Sequence, residues 1–300
     1  SPLERRSADL LDSQRFRAGI AICCRTHRVG LTQPTTCDSP MLGARSEPIH
    51  QSTLSRLVDT TDYRPPNGGI WARTIAGSVF HGAARAILTG QPYSIPALWQ
   101  QELRRAHGDG QCPVRYGYEQ DEAATLRLIE TWLAAWRNHW KAPKRVGWAE
   151  ASFLWCDHYT GVWYEGTADW VWAGGALIAD WKTGEVAPDH RLSPQHHLYC
   201  LAVLYGYWGY PDHLPHHKLD WRGVLAHLPI PRRWPEFRYI HVDAMVQRNG
   251  PWNILARHTD GSATSPEKSI EYIRALTRKL LAENAARVGA ASKIKAEQTQ

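Results

Sequence analysis

A Gly-Gly pair set between two runs of β-forming residues constrains this chain more than any other feature. Residues 162–172 (VWYEGTADWVW) and 176–182 (ALIADWK) are aromatic and β-branched, and they flank Ala173-Gly174-Gly175-Ala176. This pattern predicts an antiparallel hairpin, because Gly-Gly supplies the positive φ values that tight hairpin turns require. With Gly174 and Gly175 as the turn, residues equally far from the bond between them lie opposite one another. Asp169 and Asp180 are one such pair. Their Cβ atoms would stand roughly 5 Å apart on one face, and like charges placed so are destabilising. A divalent cation offsets that repulsion, and carboxylate oxygens suit Mg²⁺ and Mn²⁺. Lys182 lies two residues past Asp180 and therefore on the same face, where an ammonium can orient a water or stabilise charge on a phosphate. A pair made of one protonated carboxyl and one surface charge is the alternative that these residues alone leave open.

Composition narrows the class. Hydrophobic residues make up 43% and charged residues 21% of 300 positions, which is a globular balance and excludes a wholly disordered chain. The 35 basic and 29 acidic side chains give a net charge of +6, compatible with a polyanionic partner. No apolar run reaches the roughly 18 residues of a membrane span, so no membrane association is expected. The six cysteines show no CxxC spacing, which points to a reducing, cytoplasmic compartment.

Residues 1–64 carry no Lys and no sustained period, and they read as a flexible leader and linker. The folded domain is expected over 65–290 and a flexible tail over 291–300. Helices are predicted at 74–89, 120–140, 194–208 and 266–287, and strands at 148–155, 162–172, 176–182, 223–228 and 237–246. That order predicts a mixed α/β domain with a central mixed sheet flanked by helices. Trp132, Trp136 and Trp140 recur at helical spacing and read as core. His190, His196, His197, His213, His216 and His217 invite a metal reading; His213, His216 and His217 lie among Pro211 and Pro215 without zinc-type spacing and read as solvated loop histidines, while His196 and His197 lie on the predicted 194–208 helix, where phosphate contact is open.

Four short motifs then fall into one order. Gly77-Ser78-Val79-Phe80-His81 lies on the first predicted helix, Gly166-Thr167-Ala168-Asp169 on the second predicted strand, and Asp180-Trp181-Lys182-Thr183-Gly184 on the third. Gln195-x-x-x-Tyr199 follows on the next helix, its two ends sharing one face. Together they resemble the RecB-like branch of the PD-(D/E)XK nuclease superfamily, in the G-x-x-x-H, G-x-x-D, D-[YW]-K-[TS]-G and Q-x-x-x-Y motifs of that branch. The resemblance covers about Thr74 to Gly206. It implies a restriction-endonuclease-like core, metal ligation by His81, Asp169 and Asp180, and catalysis by Lys182. It also implies Glu150 as a further catalytic acid and Gln195 and Tyr199 as residues that contact nucleic acid or brace the strand. Trp170 stands where the family often has Arg. No Cys follows Cys200, so the iron–sulfur cluster of some relatives is not expected.

The expectation is therefore a Mg²⁺- or Mn²⁺-dependent deoxyribonuclease, an exonuclease of phage recombination or bacterial DNA repair, with DNA as partner and a helicase or recombinase as companion. An endonuclease of the same superfamily and a vestigial nucleic-acid-binding subunit are the alternatives. Arg104, Arg105, Arg115, Lys141, Lys144, Arg145, Arg232 and Arg233 are basic residues suited to tracking a backbone. Trp163, Trp170, Trp172 and Trp181 are offered as stacking platforms for frayed bases.

Overall fold

The computed structural model of the chain describes residues 48–58, 68–107, 113–117, 121–140, 147–184, 193–209, 228, 230–258 and 260–297. All belong to the unit Arg45–Gln300. The first half holds β1 (Ile49–His50), α1 (Gln51–Ser55), β2 (Ile70–Trp71), α2 (Ala72–Thr89), α3 (Ile95–His107), β3 (Val114–Arg115) and α4 (Glu122–His139). The second half holds β4 (Gly147–Asp157), β5 (Val162–Trp172), β6 (Leu177–Lys182), α5 (Pro194–Tyr205), β7 (Tyr207–Gly209), β8 (Glu236–His241), α6 (Val242–Arg248), β9 (Asn253–Leu255) and α7 (Pro266–Glu297).

The central sheet runs β7-β4-β5-β6-β8-β9, with β1 added to β5. It is mixed: β6 pairs parallel to β8 and β1 parallel to β5, while the β4–β5 and β5–β6 pairs are antiparallel. Helices cover both faces. On one face α1, α5 and α7 pack Leu54, Leu198, Leu201, Ile273 and Leu276 against Phe153, Tyr164, Val171 and Ile178. On the other, α2, α3, α4 and α6 pack Phe80, Trp99, Trp132, Trp136 and Met245 against Trp170, Ala179, Trp181 and Ile240. The mixed α/β fold class read from the sequence is the one the chain adopts, with a sheet flanked by helices.

Local chemistry explains the element ends. Asp121 caps α4, accepting from the Ala124 amide at 2.7 Å, and Ile129, Trp132, Leu133 and Trp136 then form its buried stripe. Ser193 caps α5 ahead of Pro194, whose missing N–H costs nothing in a first turn. The β5–β6 turn closes with the Gly175 N–H on the Trp172 carbonyl, and Gly175 sits at φ +64. The turn is a four-residue one centred on Gly174–Gly175, so the expected register survives: Trp170 pairs with Ala179 and Val171 with Ile178.

Several expectations are corrected. Residues 48–58 belong to the folded unit: β1 pairs with β5, and Leu54 is fully buried. The run 237–246 switches at Val242 from strand to helix, because Asp243 turns inward to accept from the Trp132 indole at 2.7 Å and to pair with Arg73. Helix 194–208 ends at Tyr205, and Tyr207–Gly209 instead form an edge strand on β4. The expected tail from 291 is helical through Glu297. Helix α3 was not anticipated. The proposed strand 223–228, most of residues 1–64, Lys141, Lys144, Arg145, His190, His213, His216 and His217 lie outside the described residues.

Candidate active site

Three neighbouring strands place their carboxylates at one level of the sheet. β4 and β5 pair from Gly147 opposite Trp172 to Asp157 opposite Val162, and the ladder is interrupted where Glu150 meets Asp169. β5 and β6 pair as far as Trp170 and Ala179, so the next step sets Asp169 opposite Asp180. Glu150 holds a left-handed backbone at φ 50, which costs a non-glycine residue of the order of 1–2 kcal/mol. The strands turn over at this level. Ala149 and Trp170 pack toward α2 and α4, whereas Ala151 and Ala168, two residues away on the same strands, pack toward α5. Residues two apart normally share a face.

The other face of the site comes from α2. Gly77 lets the helix approach closely, since a Cβ there would stand 2.9 Å from Thr183 Oγ1 just past β6. One turn on, His81 Nδ1 meets Asp169 Oδ1 at 2.9 Å. His81, Glu150 and Asp169 form a group able to hold a metal ion, with one ligand atom from each lying within 4.8 Å of the others. Asp169 Oδ2 accepts from the Trp181 amide at 2.6 Å, which fixes the carboxylate across the hairpin.

Asp180 faces a different set of partners. Its Oδ2 pairs with Lys182 Nζ at 2.5 Å, and its Oδ1 accepts from Gln195 Nε2 at 2.8 Å. Gln195 Oε1 in turn accepts from Lys182 Nζ at 3.0 Å, and the ammonium stands 5.6 Å over the Tyr239 ring. The Asp180 carboxylate is buried, while the Lys182 side chain keeps about a quarter of its surface in solvent, 27%.

Electrostatics mark the cluster as overcharged. Burial, reinforced by Asp169, pushes Glu150 up to about 7 against the opposing pull of His81 and Arg85. Burial also raises Asp180 to about 6, and Lys182, though it outweighs the repulsion from Asp169, offsets that burial only in part. Burial would lower His81, but the charge and hydrogen bond of Asp169, with Glu150 and Asp180 beyond, outweigh it and raise the imidazole to about 9. Burial is the leading cause for both acids and the Asp169 charge adds to it, so a nearby cation would favour their ionised forms. The donor set of carboxylate oxygens and one imidazole nitrogen fits a divalent ion, which would supply that cation.

The sequence matches the profile of the PD-(D/E)XK nuclease superfamily over residues 56–299. This chain belongs to that superfamily. No curated protein matches it. A PD-(D/E)XK nuclease is a hydrolase of nucleic-acid phosphodiester bonds, and such enzymes typically use divalent metals.

In this PD-(D/E)XK site the structure brings His81, Glu150, Asp169, Asp180, Lys182 and Gln195 together. Of the two roles expected of Tyr199, contact with nucleic acid or bracing of the strand, its placement suits the second. Its side chain is fully buried, and its hydroxyl donates to the Thr167 carbonyl and accepts from Gln195 Nε2 at 2.9 Å. It braces β5 on the edge away from β4, between the β1 pairing at Tyr164 and Glu165 and the β6 pairing at Trp170. Trp170 and Trp181 are buried among Trp136 and Trp140 and offer no face to a base. Trp132 and Trp136 are core, as their spacing predicts. Gln51 and Thr167 also touch the site and were not singled out. Ile49, Leu54, Leu57 and Val58 carry a short helical period that marks the Gln51 segment as structured.

Proposed function

We propose that this chain is a metal-dependent deoxyribonuclease of the RecB-like branch, acting as an exonuclease in bacterial or phage recombination and repair. The observation that carries the reading is the shared level of Glu150, Asp169 and Asp180, with His81 on one side and Lys182 on the other. His81, Glu150 and Asp169 would hold the ion, while Asp180 stands beside them against Lys182 and Gln195. A bound Mg²⁺ or Mn²⁺ supplies Lewis acidity toward a phosphate oxygen and a water of lowered pKa. Lys182 donates toward the attacking water or a non-bridging phosphate oxygen as charge develops. Gln195 holds the ammonium in place through its carbonyl oxygen. The partly exposed Lys182 and the buried Asp180 agree with a site approached from solvent by a strand.

The branch assignment is supported by the four motifs in order, and by the role each glycine plays. Gly77 admits Thr183, and Gly166 admits the Gln51 side chain. Among the described residues no helix is long and apolar enough to cross a membrane. A cytoplasmic location and a helicase or recombinase companion complete the reading.

The deciding assay offers linear and covalently closed DNA, single- and double-stranded, and a matched RNA, each with Mg²⁺, Mn²⁺ or EDTA. Short products from linear DNA, intact circles and silence in EDTA are expected. Rapid nicking of closed circles would favour an endonuclease. Binding without cleavage in either metal would make the chain a nucleic-acid-binding subunit.

A further inference from the structure

Helix α2 turns one polar stripe to solvent. Ile75, Ala76, Val79, Phe80, Ala83 and Ala84 are buried against the sheet and the neighbouring helices. Thr74 and Ser78 are exposed, and His81 and Arg85 are half-buried. Spacings of four, three and four residues set these four side chains on one face of an α-helix. At about 1.5 Å of rise per residue the stripe runs about 17 Å, enough to follow a few nucleotides of a strand. It passes directly beside the acidic group, because His81 meets Asp169 at 2.9 Å and still keeps 30% of its side-chain surface in solvent. The site therefore opens to solvent on the side of α2 where the stripe lies. Charge sets this face apart from an ordinary solvated one. Helix α2 contains two arginines and no carboxylate, whereas the sheet across from it presents Glu150, Asp169 and Asp180. Arg73 is committed to Asp243. Arg85 stands one turn beyond His81, and its charge is felt at Glu150. Hydroxyls and a guanidinium both donate to phosphate oxygens, and the guanidinium fork does so with two N–H groups.

We propose that Ser78 and Arg85 are substrate-binding residues that hold the phosphates on either side of the one cut beside His81, so that the strand crosses the site along the open stripe of α2. The inference rests on the nuclease reading above and adds the path of the strand to it. A polyanion brought up to three acids is repelled, and a donor row on the facing helix offsets that repulsion where it is largest. Contacts to phosphate fix register and orientation and carry no sequence information, which suits an enzyme that degrades a strand from its end.

The test pairs turnover of linear DNA in Mn²⁺ with binding of a labelled single-stranded oligonucleotide over a salt series, the latter in a Lys182→Ala background where cutting is slow. Arg85→Gln is expected to raise KM and Kd about tenfold while kcat stays within about twofold. The slope of log affinity against log salt should become shallower by about 0.7, the loss of one phosphate contact on a single strand, and Arg85→Lys should restore it. Ser78→Glu sets a negative charge on the stripe and should raise KM about fivefold, whereas Gln100→Glu, on the exposed face of α3, should not. Mn²⁺ should raise the melting temperature of Arg85→Gln as much as that of the wild type. An unchanged salt slope and KM in Arg85→Gln, equal effects of Ser78→Glu and Gln100→Glu, or a loss of kcat together with the Mn²⁺ shift would each overturn the proposal. If the wild-type chain cuts DNA and these variants match it, the strand path alone fails. If the wild-type chain neither binds nor cuts DNA or RNA, the nuclease reading fails and the strand path with it.

Discussion

Two groups of buried titratable side chains meet on helix α5, and they hold opposite electrostatic states. Gln195 joins the carboxylate group at the sheet end, while the next two residues, His196 and His197, join a histidine group with His258. Each histidine has a neutral partner. His196 Nδ1 lies 3.1 Å from the Tyr239 hydroxyl, His197 Nδ1 lies 2.9 Å from Ser269 Oγ, and His258 Nε2 accepts from the Ser265 amide at 2.9 Å. Burial, with the neighbouring rings, holds His196 well below its usual range and His197 at about 3. His258 is lowered as well, by burial and Lys268. Burial favours the neutral form of these imidazoles, and phosphate contact does not suit the buried His196 and His197. The carboxylate group instead retains like charges against each other beside a strained Glu150. Buried polar residues of similar kinds thus serve packing where neutral partners are supplied, and chemistry where a charge is left to be balanced.

The largest expected difference is in turnover. Lys182→Ala should slow cleavage by a factor of about 10² or more with little change in melting temperature, whereas His197→Ala should leave turnover per folded molecule within about twofold. Near-wild-type cleavage by Lys182→Ala, or loss of turnover in folded His197→Ala, breaks the comparison. Next in size is stability. Leu54→Ala removes a fully buried core side chain and should cost about 2–5 kcal/mol, so a chain beginning at Thr61 should melt well below the full one. Equal melting temperatures would return residues 48–58 to the leader.

Smaller effects separate the two groups by sign. In EDTA, Asp180→Asn should raise stability near neutral pH by about 1–3 kcal/mol, because a charge held at a raised pKa opposes folding. Mn²⁺ should stabilise the wild type and stabilise Asp169→Asn far less, as read by thermal shift. The pH slopes should also oppose each other. Glu150, Asp180 and His81 have raised pKa values in the folded state, so that state binds the extra protons; the His81 contribution is gained as pH falls from about 9 to 6.5, and those of Glu150 and Asp180 as pH falls from about 7 toward 4. His196 and His197 have lowered values, so the unfolded state takes up the protons, and stability declines below about pH 6.5 toward 3. Urea titrations at pH 7, 6 and 5 on Asp180→Asn and His197→Phe should each flatten one slope. Identical slopes in both variants would show that the groups do not differ as described.

The part of the site on the hairpin was legible because a Gly-Gly turn fixes register over short range, and Asp169, Asp180 and Lys182 all lie within a few residues of it. Glu150 was reachable only by resemblance, since nothing local announces a left-handed residue in mid-strand. Gln51 was hidden by distance: a two-residue strand pairs with β5 more than a hundred positions away, and its side chain lies against a glycine. The strand-to-helix switch at Val242 was missed because its cause, the bond from the Trp132 indole to Asp243, is tertiary.

The interrupted ladder at Glu150 also bears on which changes of chain length the enzyme can survive. Deleting one residue of β4 between Glu150 and Asp157 would shift everything before it by one step against β5, reversing the faces of that stretch and sliding the acid off the level of Asp169. Insertions at the exposed hairpin tip His158–Gly161 fall outside the paired residues and leave that alignment alone, whereas the Ala173–Ala176 tip is packed, with Gly175 buried against Pro231 and Ala176 accepting from the Glu236 amide. The first tip is accordingly the place to graft a purification tag or a sensor loop, and the strand before it is where a single lost codon triplet inactivates the protein.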